Sequence, residues 1–152
     1  MRNRRSGFSV FELLCALGLL SVVLSIALPS VSANLPRLLV EQAARRLSSE
    51  IELTRLKAVH RNTRARVVID LGGASYSVEI ESEGRFDADG PARMLPAGVA
   101  FDAAASTRVA GGRISITFLP RGHSPDNATI ALAGATTRRR VIVSSAGRVR
   151  IE

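Results

Sequence analysis

Glu12 is the side chain whose setting asks most of its chemistry. It is the only charge between Phe8 and Val31, a run of 24 residues that follows Arg2, Arg4, Arg5 and Gly7. An ionised carboxylate deep in lipid costs about 2.5–3.5 kcal/mol on insertion scales, so such a residue points to a partner for its charge. Cleavage between Gly7 and Phe8 would expose an α-amine four residues before Glu12, one helical turn away. The same amine on a neighbouring chain would serve equally, and either pairing offsets the desolvation of both groups. The second chemistry-bearing group is basic: Arg138, Arg139 and Arg140, then Arg148 and Arg150 after Gly147. If these residues enter adjacent antiparallel strands, strict alternation turns Arg148 and Arg150 outward beside Arg138 and Arg140, with Val149 and Ile151 inward. Guanidinium forks suit phosphate oxygens. Double-stranded DNA held this way would bind largely without regard to sequence and with steep salt dependence. A solvated or subunit-facing terminal hairpin would show the same turn glycine and alternating arginines.

Nothing else in the chain has the makings of a reactive site. His60 and His123 fall at an expected helix end and in a turn, with no second ligand at metal-binding spacing. Ser144-Ser145 is not set in a nucleophile elbow. Asp126-Asn127 reads as a turn, and one carboxylate is thin support for a calcium loop. Asp87 and Asp89 stand in an acidic loop. The expectation is a non-enzyme with no cofactor and no metal.

The elements that must position these groups begin with the apolar run. At 1.5 Å per residue, Phe8–Val31 is long enough to cross a bilayer core as a helix. The three leading arginines keep the N-terminus cytoplasmic. A plain membrane anchor and a secretory signal cut after Val31-Ser32-Ala33 are the competing readings. Such signals have an apolar core of about 7–15 residues, and this one is longer and carries a glutamate. Beyond it there is room for one domain of roughly 115 residues. Cys15 is the only cysteine, so that domain stands without an intrachain disulfide. Tryptophan is absent and Tyr76 is the only tyrosine, which leaves little to stack on single-stranded nucleic acid. The net charge of +8 is uneven. Residues 35–67 carry eight basic and three acidic side chains, 68–102 two and seven, and 103–152 eight and two. A basic C-terminal third against an acidic middle suggests an oriented surface for polyanion or acidic-protein contact.

Pro29 and Pro36 bracket an expected kink or short break. A second helical pattern follows, with Val40, Ala44, Leu47, Ile51 and Ala58 on one stripe and Arg45, Arg46, Glu50 and Arg55 elsewhere on the surface. The stripe predicts packing against a sheet, with the helix ending near His60-Arg61-Asn62. Strands are expected over 66–71, 76–81, 98–101, 113–118, 129–132, 139–144 and 148–151, separated by turn signals such as Gly72-Gly73, Gly111-Gly112 and Ala146-Gly147. Val141-Ile142-Val143 alternates poorly, as in a central strand. Residues 82–105 are expected as a mobile loop.

Gly7, Phe8 and Glu12, followed by the apolar helix with Pro29, resemble the type IV prepilin family. The resemblance implies removal of residues 1–7 by a membrane-embedded prepilin peptidase, N-methylation of Phe8, and Glu12 as the carboxylate that guides filament packing. It implies an α+β pilin-like fold. A transmembrane and filament-core helix over 8–31 continues as a periplasmic half over 32–64 and packs on an antiparallel β-domain over 65–152. Within that family, Leu56-Lys-Ala-Val-His-Arg-Asn62, Ile116-Thr-Phe-Leu-Pro-Arg-Gly122 and Arg140-Val-Ile-Val-Ser-Ser-Ala-Gly-Arg-Val-Arg150 are similar to the GspH/FimT group. The implied partners are other pseudopilins or pilins, the processing peptidase and the inner membrane. The implied role is a minor subunit of a type II secretion pseudopilus. In FimT-type minor pilins a Gly-Arg-x-Arg motif takes part in DNA capture for transformation. Gly147-Arg148-Val149-Arg150 fits that motif, and secretion pseudopilins of the group can look alike there.

Overall fold

The computed structural model describes residues 9–152, apart from the side chains of 27–33. The expected cleavage residues Gly7 and Phe8 lie outside the described residues. One α-helix, α1 (Val10–Arg61), precedes nine strands: β1 (Ala65–Asp70), β2 (Ser75–Ser82), β3 (Arg85–Ala88), β4 (Arg93–Met94), β5 (Ala100–Phe101), β6 (Arg113–Phe118), β7 (Ala128–Ala133), β8 (Arg138–Val143) and β9 (Val149–Ile151). The chain divides into two compact units, Met1–Leu35 and Pro36–Glu152.

In the first unit the large apolar side chains from Val10 to Ile26 are exposed, and so are Glu12 and Cys15. Among the described residues no helix is long and apolar enough to cross a membrane. The span expected over 8–31 includes Phe8 and the side chains of 27–31, which lie outside the description. The short break expected between Pro29 and Pro36 is not found, since helix is assigned throughout Val10–Arg61. Each proline removes one intrahelical hydrogen bond without ending the helix.

The second unit is a helix packed on two antiparallel sheets. Strands run in the order β3-β2-β1-β6, with β4 also on β2, in one sheet, and β5-β7-β8-β9 in the other. The helical stripe Val40, Ala44, Leu47, Ile51 and Ala58 is fully buried, as its spacing predicts. It shares one core with Val67, Ile69, Ile114, Ile116 and Phe118 of the first sheet and Ile130, Leu132, Val141 and Val143 of the second. Each such side chain contributes about 1.5–3 kcal/mol by leaving water. β1 alternates buried and half-buried residues along its length, the period of a strand with one face on a core. β8 lies between β7 and β9, the central place that its poor alternation indicates.

Two expectations fail here. Residues 82–105 are not loop throughout: β3 pairs with Glu79–Ser82 of β2, and β4 pairs Met94 with Ser75 and Arg93 with Tyr76. Glu50 is not on the surface. It is 3% exposed and forms an ion pair with Arg93. The sequence pattern hid both, because β3 and β4 are short, polar and without apolar alternation.

Two of the outer strands, β6 and β9, offer a further strand only a limited edge. On β6, the Thr117 amide donates to Asp126 Oδ2 (2.9 Å), the Ser124 hydroxyl donates to the Thr117 carbonyl (2.7 Å), and Arg108 holds Asp126 (2.8 Å). The Ser-Pro-Asp turn therefore occupies the Thr117 edge groups on which another strand would pair. β9 is three residues long and carries Arg150 beside Arg148.

Candidate functional site

The β8–β9 hairpin assembles the arginines. Its register sets Val141 opposite Ile151, Ile142 opposite Arg150 and Val143 opposite Val149. Cross-strand partners share a face, so Arg150 projects on the side of Ile142, Arg140 and Arg138, away from Val141 and Val143. The side chains of Arg138, Arg140 and Arg150 are 75%, 57% and 78% exposed. Arg148 and Arg150 border a shallow depression of about 380 Å³ floored by Ile142, Ser144 and Ala146. Arg139 has the opposite parity. It turns toward α1, where it pairs with Glu41 at 3.2 Å, and is therefore not part of the outward group.

Two carboxylates stand among the outward arginines. Glu152 extends the β9 ladder by one residue, exchanging backbone hydrogen bonds with Arg140. Its side chain lies 3.2 Å from Arg140 and 3.8 Å from Arg150. Asp102 lies 3.8 Å from Arg138. Arg148 alone of the four has no ion pair among the described residues. Part of the acidic middle of the chain is likewise paired within its own fold. Arg64 pairs with Glu81 and Arg66 with Glu79, both guanidiniums facing the Phe86 ring, while Lys57 and Arg61 hold Asp89. The hydrogen bond from Arg64 lowers the Glu81 pKa, that from Lys57 lowers Asp89, and those from Arg45 and Arg139 lower Glu41. Four of the seven acidic side chains of residues 68–102 are held in such internal pairs, while Glu83 and Asp87 remain exposed without one among the described residues.

Backbone geometry explains why glycine opens the arginine hairpin. Gly147 has a φ of +75°, and a Cβ there would lie 2.3 Å from the Gly122 carbonyl oxygen and 3.1 Å from Arg55 Nε. Arg55 Nε donates to that same carbonyl at 2.7 Å, and the Ser124 amide donates to the Ser145 carbonyl at 3.0 Å. The helix, the β6–β7 loop and the β8–β9 turn thus meet at one buried junction, two residues of which are the glycines ending Leu-Pro-Arg-Gly and starting Gly-Arg-Val-Arg. Arg55 is a positioning residue that sequence reasoning missed; a lone arginine on a helix surface gives no sign of a partner 67 positions away.

The remaining candidate residues are not gathered into a cluster among the described residues. His60 and His123 are exposed. Asp126 serves as the β6 edge cap described above. Among the described residues no group of three or more His, Cys, Asp or Glu side chains is placed to hold a metal ion.

Residues 43–147 match the family described as type II transport protein GspH, and residues 2–28 match the prokaryotic N-terminal methylation motif. The pilin-like protein PilA1 of Thermus thermophilus is 33% identical over 156 residues, spanning 97% of this chain and 99% of its own length. The type IV minor pilin FimU of Pseudomonas aeruginosa has a similar fold, with a TM-score of 0.61 at 19% identity over 76% of this chain and 90% of its own. So has the minor pseudopilin EpsH from the type 2 secretion system of Vibrio cholerae, at a TM-score of 0.62 and 13% identity over 74% and 95%.

Proposed function

From its membership of the GspH family of pilin-like transport proteins, to which this chain belongs, we propose that it is a minor subunit of a type II secretion pseudopilus with a structural role in protein export. The observation that carries this reading is the division of labour along the chain. The second unit buries a complete core of its own, while Val10–Ile26 leave an apolar surface for other molecules to cover. In this reading a prepilin peptidase cuts after Gly7 and Phe8 is methylated. Residues 8–31 sit in the inner membrane until assembly, 32–64 continue the helix, and the domain over 65–152 is displayed on the periplasmic side. Glu12 pairs with the N-terminal amine of an adjacent pseudopilin or pilin, which offsets the burial of both charges. The test is mass spectrometry of the purified filament fraction combined with a Glu12→Ala variant. Methyl-Phe8 at the N-terminus and a variant that inserts in the membrane without entering filaments are expected. An N-terminus at Asn34, or normal incorporation of the variant, would overturn it.

A second reading, a type IV pilus minor pilin that captures double-stranded DNA, is favoured by the outward placement of Arg138, Arg140, Arg148 and Arg150 on one surface. It is tested by DNA binding of the detergent-solubilised chain over a salt series, beside an Arg148→Ala/Arg150→Ala variant. Salt-sensitive binding that the variant loses supports it. Binding that the variant keeps excludes it.

A further inference from the structure

A groove of about 550 Å³ separates α1 from the segment after β4, with Gln42, Arg46 and Ser49 on one wall and Tyr76 and Met94–Pro96 on the other. It plays no part in either reading above. Its charges balance except at one point. Arg93 is committed to Glu50 and Arg45 to Glu41, while Arg46 has neither an ion pair nor a hydrogen bond among the described residues. The hydroxyls of Tyr76 and Ser49 also lack a partner among them. Tyr76 is 5% exposed, and burial raises its pKa against the opposing pull of Arg46, so its phenol stays a proton donor. Beside these donors lies apolar surface, of which Met94 is 71% exposed.

We propose that this groove docks a neighbouring filament subunit through one Asp or Glu carboxylate set against Arg46, Tyr76 and Ser49, with an adjacent apolar side chain laid on Met94, Leu95 and Pro96. The proposal rests on the filament-subunit reading. A single uncompensated guanidinium flanked by two hydroxyl donors matches a single carboxylate. A nucleic-acid backbone would bring a charge about every 1.7 Å of duplex, many more than the one unpaired guanidinium of this groove can meet. The apolar wall adds the gain of covering an exposed methionine, and its floor is held by the Glu50–Arg93 pair and by the Leu95 amide donating to the Ala74 carbonyl at 2.9 Å.

The experiment replaces Met94 with p-benzoylphenylalanine in the full chain expressed in filament-forming cells, irradiates, and identifies the joined peptides by mass spectrometry. An adduct is expected to a pilin-type subunit, at a segment with an acidic residue beside an apolar one. Arg46→Glu should cut its yield at least about tenfold, and changing the mapped acid to Arg should restore it. Arg46 is exposed, so the Arg46→Glu melting curve should match the parent's. Tyr76→Phe should lower the yield several-fold without unfolding the chain. Filaments that contain the chain but give no adduct overturn the docking proposal alone. So do an adduct at a segment without a carboxylate, an adduct to nucleic acid, or a yield indifferent to Arg46→Glu. Absence of the chain from filaments overturns the docking proposal together with the filament reading.

Discussion

Gly147 sits where a side chain has no room and where the backbone is left-handed, two separate constraints on one residue. Gly147→Ala is expected to cost about 1–3 kcal/mol, from the φ of an L-residue and from overpacking, measured as a fall in melting temperature. Asparagine tolerates positive φ, so Gly147→Asn tests the second constraint alone; parent-like stability in that variant would show that the Gly122 carbonyl can move aside. Glu152 is the other residue whose role separates structure from binding. It stands between Arg140 and Arg150 as an internal competitor for any anion. If DNA is the ligand, Glu152→Gln should tighten binding at low salt and steepen the dependence of log K on log salt by about one. An unchanged slope would mean that Arg140 and Arg150 do not meet phosphates.

The element that departs most from its sequence is the stretch from β3 to β4. Arg85–Ala88 and Arg93–Met94 have no apolar alternation, so local pattern has nothing to report, and their order comes from edges they borrow on β2. Glu50 was illegible for the same reason: at a buried helical position it is ordered by Arg93, which is distant in sequence. Arg93→Ala should therefore cost about 3 kcal/mol by leaving a buried carboxylate unpaired, whereas Glu50→Met/Arg93→Met should cost less. Equal losses in the two variants, read from denaturant unfolding, would remove the pair from the account. The elements whose information is local were legible. The stripe Val40–Ala58 and strands such as Arg113–Phe118 follow from their periods. The hairpin of the candidate site was legible in its pairing but only partly in its faces, since Arg139 belongs to the core side and its carboxylate partner lies on the helix.

At the scale of the whole molecule, the chain from Pro36 onward holds its own core and sheets, so a protein of residues 36–152 should unfold cooperatively as a single domain. A non-cooperative melt would mean that the preceding segment is needed for the fold. Acid should weaken it. Glu41, Glu81 and Asp89 have pKa values lowered in the folded state, so their contribution is complete above the ordinary carboxylate range and is lost as pH falls through the lowered values. Melting temperature should be flat near neutrality and decline below about pH 5, with Glu81→Gln giving a shallower decline. The Ser-Pro-Asp turn over β6 bears on a different hazard. In the filament-subunit reading, chains held in a membrane before assembly are crowded into two dimensions, where exposed strand edges meet their like. With the Thr117 amide held by Asp126 and its carbonyl by Ser124, such encounters find that part of the β6 edge already occupied. A pool of such chains would be protected from strand pairing at that position, leaving the exposed apolar helix as the surface on which they could meet.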